Sequence, residues 1–224
     1  MPNFDIVKKS DVGKSFRVEK IKADFDVSES HSQEHFKGQI DIPEKWNIGI
    51  IVGESGTGKS TIAKALFPEA YIADFAYTEK SVIDDMPRKS MDEIEKMFYA
   101  VGFGSVPSWL KPYGVLSNGE KMRVDLARAL LEKDFVVFDE FTSVVDRNVA
   151  ETMCIATARA VRAKNKKFIA VSCHKDILQW LEPDWVFDTN TMTTFFGQPR
   201  DRRKDSKSEN ATAGSGKSFG VITI

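Results

Sequence analysis

The segment Gly53-Glu54-Ser55-Gly56-Thr57-Gly58-Lys59-Ser60-Thr61 has the residue types and spacing needed to hold phosphate. Its glycines let backbone N–H groups turn inward around oxygen atoms without Cβ clashes. A helix opening at the end of the loop adds the positive end of its dipole. Lys59 is placed to reach the outer phosphates of a nucleoside triphosphate, and Ser60 to offer a hydroxyl to Mg²⁺. The pattern G-x-x-x-x-G-K-[ST] is met in full, and the apolar run Trp46–Val52 leads straight into it, as a buried strand should. A partial copy, Ala211–Ser218, lacks the first glycine and follows the charged stretch Asp201–Asn210. It reads as flexible tail.

A second cluster is acidic. Phe135-Val-Val-Phe138 runs into Asp139-Glu140. An acid at a strand tip beside a phosphate loop is where a Mg²⁺-anchoring carboxylate must sit, which selects Asp139. Glu140 is then placed to hold and polarise an attacking water. Between the two clusters lies Leu116-Ser117-Asn118-Gly119-Glu120, followed by the helical pattern to Leu131. Ser117 caps that helix and Glu120, three residues on, completes a capping box. The same N–H groups form a second anion-binding helix start.

With these residues in view, the chain resembles the ATP-binding-cassette superfamily. Leu116–Glu120 looks like its LSGGQ signature, with Asn118 and Glu120 as departures. Five motifs keep the family order: phosphate loop, signature, acidic strand, a D-loop-like Ser143-Val-Val-Asp146, and Cys173-His174 after the next strand. The resemblance covers roughly residues 25 to 188. It implies ATP and Mg²⁺ as cofactors, with Gly53–Thr61 binding ATP and Ser60 and Asp139 on the metal. It further implies Glu140 and His174 acting at the γ-phosphate, and Ser117, Asn118, Gly119 and Glu120 closing the site of a second copy, with Asp146 nearby. One chain holds one half-site of each kind, so a head-to-tail, ATP-dependent homodimer is the economical arrangement.

The chain also departs from that pattern. The family places a glutamine between phosphate loop and signature, whereas none occurs here between Gln39 and Gln179. Thr78 or Glu79 is the substitute expected from position. The insert from there to Ser117 is short, about 40 residues, which weakens a reading as a membrane transporter's nucleotide-binding subunit. Glu120-Lys121 resembles chromosome-maintenance and repair ATPases, but no long coiled coil interrupts the chain. Asp139–Arg147, Ser172–His174 and Trp180–Trp185 look more like stand-alone ATPases of phages and prophages. That points to DNA, or a DNA-modifying enzyme, as partner. Phe25 is the candidate for stacking on adenine. His31-Ser-Gln-Glu34-His35 matches H-x-x-E-H, but strand-like flanks place its residues too far apart for one zinc.

These residues need elements to carry them. Apolar runs alternating with helical patterns imply an α/β P-loop core. Strand-like stretches at Ser15–Val27 and Phe36–Ile42 suggest a β-rich N-terminal subdomain. The helices are expected over Lys59–Phe67, Ser81–Met97, Asn118–Leu131, Asn148–Ala163 and Ile177–Leu181. Ala70–Phe75, Phe135–Phe138 and Lys167–Cys173 read as strands, Gly102–Gly114 as loop, and Trp185–Phe196 as a terminal hairpin. The expected organisation is one ATPase domain over 1–197, with a helical insert at about 78–117, then a flexible polar tail over 198–224. That tail carries Arg200, Arg202, Arg203, Lys204, Lys207 and Lys217 against Asp201, Asp205 and Glu209, a net +3.

Composition excludes other classes. The 224 residues carry a net charge of −1, so a globally basic nucleic-acid binder is out, though a local patch is not. No apolar run approaches the roughly 18 residues that span a bilayer, and the charged first twenty residues are unlike a signal peptide. The two cysteines, Cys154 and Cys173, read as buried thiols in a cytoplasmic protein.

Overall fold

In a computed structural model the described residues are 2–11, 13–26 and 31–197. The tail, its basic cluster and the partial loop copy lie outside them.

A five-stranded sheet in the order β4-β5-β3-β6-β7 forms the core. β3 (Ile48–Val52), β4 (Phe135–Phe138), β5 (Lys167–Ser172) and β6 (Trp185–Asp188) run parallel, and β7 (Thr193–Phe196) closes an antiparallel edge hairpin with β6. All five residues of β3 are buried, as a strand covered on both faces requires. Ile48, Ile50 and Val52 face one cluster with Phe138, Phe168 and Ala170. Ile51, Val137, Ile169 and Val171 face the other. The period of two thus sorts one strand's side chains between two cores.

The first core is covered by α3 (Met91–Ala100), α5 (Asn118–Glu132) and α6 (Arg147–Ala163), with the short α4 (Val106–Trp109) and α7 (Ile177–Leu181) at its rim. The second is covered by α2 (Lys59–Leu66) and by an antiparallel pair, β1 (Asn3–Asp11) with β2 (His31–Gln39). Gly49 is needed in β3 because a Cβ there would lie 2.1 Å from the Trp185 ring. Among the described residues no helix is long and apolar enough to cross a membrane.

Several sequence expectations need correcting. Ser15–Val27 is not a strand: Phe16–Phe25 is helix α1, capped by Ser15 accepting from the Val18 amide and ended by Asp26 in the left-handed region at φ 51°. The alternation there was imperfect, and a good N-cap with helix-forming Lys and Glu outweighs it. Within Ala70–Phe75 only an isolated parallel bridge forms, Tyr71 to Val137. The helix expected from Ser81 begins at Met91, because Pro87 interrupts the run and Ser90 with Glu93 builds a full capping box. The expected loop Gly102–Gly114 contains α4 and the start of a 3₁₀ turn, Tyr113–Val115. Cys154 is buried, which pushes its thiol up to about 12, whereas Cys173 is exposed rather than buried.

Candidate functional site

The parallel strands bring their carboxyl ends to one edge of the sheet, where ligands of open α/β folds bind. Three of the four tips carry residues singled out by sequence: β3 runs into Gly53, β5 into Cys173-His174, and β4 into Asp139-Glu140. β5 lies between the other two.

The loop 53–58 has the shape of an anion cradle. Gly56 and Gly58 take φ of 86° and 84°, which other residues adopt only with strain. A Cβ on Gly58 would sit 2.5 Å from the Phe36 ring, and one on Gly53 would sit 2.1 Å from Thr189 Oγ1. Lys59 is buried, and its Nζ donates to the Glu54 carbonyl at 2.6 Å, so it arches back across its own loop. The Thr57 hydroxyl donates to the same carbonyl at 2.8 Å. α2 opens on Gly58 with no side-chain cap, leaving its first N–H groups without a capping side chain. A bare helix start, a buried lysine and a glycine cradle fit a polyphosphate.

Two residues of this loop's surroundings were missed by sequence. Thr189 shares a 2.6 Å hydroxyl contact with Thr57, and its amide donates to the Val52 carbonyl at 2.8 Å. Asn190 Oδ1 accepts from the Glu54 amide at 3.2 Å. Both follow the tip of β6, and only the pairing of β6 with β3 brings them here. Phe36, whose ring closes on Gly58, comes from β2, more than twenty residues upstream.

At the tip of β4, Asp139 is half-buried. Its Oδ1 accepts the Glu140 amide at 2.9 Å, and its Oδ2 accepts the Tyr71 hydroxyl. Glu140 is exposed, at φ 50°, and Thr142 takes φ 70°. Two non-glycine residues in the left-handed region so close together store backbone strain. The turn is held by the Phe141 amide donating to the Val171 carbonyl at 2.9 Å and by Ser143 bonding back to the Glu140 carbonyl. His174 is half-buried; its amide donates to Ser172 Oγ at 3.1 Å. Asp146 caps α6 by accepting from the Asn148 and Val149 amides. The next residue, Arg147, makes a bidentate pair with Asp176 and stacks its guanidinium 5.2 Å from the Trp180 ring centroid. The segments carrying Asp146 and His174 are thereby tied together.

α5 opens at the signature-like residues. Ser117 Oγ accepts the Glu120 amide at 3.3 Å, and Glu120 Oε2 accepts the Ser117 amide and hydroxyl at 2.9 and 2.8 Å. Ser108 Oγ donates to Glu120 Oε1 at 2.7 Å. These bonds, the Ser117 amide first, hold the Glu120 carboxyl below its ordinary range. Gly119 sits against Val145: a Cβ there would lie 3.1 Å from its Cγ1. Further along α5, both oxygens of Asp125 are taken, by the hydroxyls of Tyr77 and Tyr113 at 2.7 and 2.8 Å. The two tyrosine rings stack 3.9 Å apart. This clamp fastens the segment after Tyr71 to the signature helix.

A cleft of about 880 Å³ opens between these parts. Its walls include Lys64, Tyr71, Asn118, Asp139, Glu140 and Ser143. Lys59 and the rest of the phosphate loop are not among them. Nor are Thr78 and Glu79, whose amides are engaged by the Asp85 carboxylate instead. Phe25 ends α1 and is 71% exposed. His35, of the H-x-x-E-H match, pairs with Asp5 at 2.6 Å across the β1–β2 strands, while the His31 side chain lies outside the described residues.

A glycine-rich loop on the central strand of a mostly parallel sheet, with an acidic strand tip two strands away, is the arrangement of a P-loop fold. Comparison with known proteins narrows this. No family model matches. An uncharacterised ABC transporter ATP-binding protein of Haemophilus influenzae is 31% identical over 134 residues, which is 47% of this chain and 55% of that protein. The match thus spans about half that relative's length. The energy-coupling factor transporter ATP-binding protein EcfA1 of Staphylococcus aureus strain USA300 is 25% identical over 185 residues, 65% of this chain and 68% of that one. Among solved structures, the dimeric post-hydrolysis state of the ATP-binding cassette MJ0796 with ADP and Pi superposes with a TM-score of 0.59. It is 13% identical and covers 84% of this chain and 93% of that one. A bacterial Atm1-family ABC exporter with ATP bound gives 0.54 at 18% identity, over 82% of this chain and 39% of that one. The fold is that of an ATP-binding cassette.

Proposed function

We propose that this chain binds ATP with Mg²⁺ and hydrolyses it at the interface of a head-to-tail homodimer. The cassette spans 1–197, with 78–117 as its insert. The observation that carries the reading is the cradle: Gly56 and Gly58 at positive φ, α2 with no capping side chain, and Lys59 buried behind the loop. In this reading Gly53–Thr61 holds the phosphates through backbone N–H groups and the Lys59 ammonium. Ser60 and Asp139 hold the Mg²⁺, which neutralises charge on the phosphate oxygens. Glu140, exposed at the mouth, orients the attacking water and accepts its proton; His174 holds the γ-phosphate. Ser117, Asn118, Gly119 and Glu120 of the partner subunit close the site. Val115 and Val144, exposed and apolar beside the start of α5, suit burial against a second copy.

Glu140→Gln tests this. The variant, with saturating ATP and Mg²⁺, is expected to accumulate as a dimer by light scattering and to hydrolyse at least a hundredfold more slowly than the unaltered chain. A monomer under those conditions overturns the head-to-tail arrangement.

For what the cycle drives, we propose a stand-alone ATPase of the phage and prophage kind, acting in the cytoplasm with DNA or a DNA-modifying enzyme. The short insert, the missing glutamine and the net +3 tail support this. The second reading, a transporter's nucleotide-binding subunit, is favoured by the names of the relatives. ATP turnover with and without duplex DNA over a salt series separates them. Stimulation that weakens as salt rises supports the first, since phosphate contacts release counterions. Indifference to DNA, with copurification of a membrane protein, supports the second.

A further inference from the structure

Tyr71 belongs to none of the motifs, yet its hydroxyl touches the acid at the tip of β4. Its backbone is fixed to that strand. The Val137 amide donates to the Ala70 carbonyl at 2.8 Å, and the Ile72 amide to the Val137 carbonyl at 3.0 Å. Val137 and Asp139 are two residues apart, so they point to the same side, and a residue bridged to Val137 has its side chain within reach of Asp139. From the other side, Lys64 of α2 places its Nζ 5.0 Å from the Tyr71 ring centroid. Tyr71 therefore stands between the phosphate-loop helix and the acidic strand tip.

Each carboxylate oxygen offers two lone-pair sites. The protein fills one on each oxygen of Asp139, from Tyr71 and from the Glu140 amide. This pins the carboxylate plane and leaves one site per oxygen free. We infer that Tyr71 is a positioning residue that fixes the Asp139 carboxylate for the hydrated Mg²⁺ that accompanies ATP. The inference rests on the reading of Asp139 as the Mg²⁺-facing acid.

The test measures binding of a fluorescent ATP analogue to the full chain in a Glu140→Gln background, once with Mg²⁺ and once with EDTA. Tyr71→Phe keeps the ring and its contact with Lys64 but removes the hydroxyl. It is expected to cut the Mg²⁺-dependent gain in affinity about three- to tenfold, with affinity in EDTA and the melting temperature unchanged. Lys64→Met, which leaves the hydroxyl in place, is expected to keep the gain. An unchanged or enlarged gain in Tyr71→Phe overturns the inference. Asp139→Asn separates the two levels. If it abolishes the gain while Tyr71→Phe does not, only the role of Tyr71 fails. If both keep the gain, the reading of Asp139 fails, and that of Tyr71 with it.

Discussion

The chain contains two helix starts suited to anions, and they are built in opposite ways. α2 opens on a glycine with no capping side chain, and its lysine is folded back over the loop. α5 opens on a serine whose hydroxyl accepts the Glu120 amide while the Glu120 carboxylate accepts the Ser117 amide, so a built-in capping box occupies part of its first turn. The first is an open cradle, complete within one chain. The second carries its own anion, the Glu120 carboxylate, on the amide and hydroxyl of Ser117 that an incoming phosphate would use. A helix N-terminus attracts negative charge in either case. What differs is whether the charge comes from outside or is built in. The open start is expected to bind nucleotide by itself, and the filled one to engage only when a second copy presents its phosphates.

The largest expected effect is at the open start. Lys59→Ala should weaken ATP binding about 10- to 100-fold by removing a charged donor, read by titration calorimetry. Gly58→Ala should bind as poorly and unfold more easily, because its φ is 84° and the Phe36 ring occupies the space. Wild-type affinity in both would erase the distinction between the two starts.

Ser117→Ala should act differently. Loss of the cap costs about 1 kcal/mol of stability, and the ATP-dependent dimer of the Glu140→Gln background should be lost, while monomer affinity for ATP stays within about twofold. If monomer affinity falls with it, the second start is part of the same site and the contrast fails.

Glu120→Gln is a smaller change, because glutamine also completes a capping box. Removing the built-in charge should tighten ATP-driven dimerisation a few-fold, read by sedimentation at several protein concentrations. Weaker dimerisation would show that the carboxylate assists closure.

The smallest effect is in pH. The Glu120 carboxyl ionises below its unfolded value, mainly through the Ser117 amide. Its contribution is therefore fully present above the ordinary glutamate value of about 4.3 and is lost as pH falls through the lower folded-state value. Amide exchange in the first turn of α5 should speed up on acidification in that window. The first turn of α2 has no titrating cap and should show no such step.

Much of this contrast is legible in the chain. Glycines and a lysine at fixed offsets, or serine and glutamate three apart, are local statements, because loops and caps are made by neighbours in sequence. The helix at Asn118 and the strand at Phe135–Phe138 start where their patterns start for the same reason. Ser15–Val27 misled because a few charged and apolar residues satisfy both periods, and the cap decided. The two cysteines looked alike in sequence, whereas Cys154 lies inside α6 against the core and Cys173 lies at an exposed strand tip.

By itself, then, the sequence determined the α/β core, the phosphate loop and the acids and capped helix that accompany it, since each is a contiguous run whose chemistry follows from its own backbone. Tertiary structure alone decided that Thr189 and Asn190 brace that loop, that Phe36 roofs Gly58, and that Tyr71 meets Asp139. These contacts join residues tens to more than a hundred positions apart. They exist only because β6 pairs with β3, the β1–β2 pair covers α2, and a single bridge lays Tyr71 along β4. No local spacing records which strands will become neighbours.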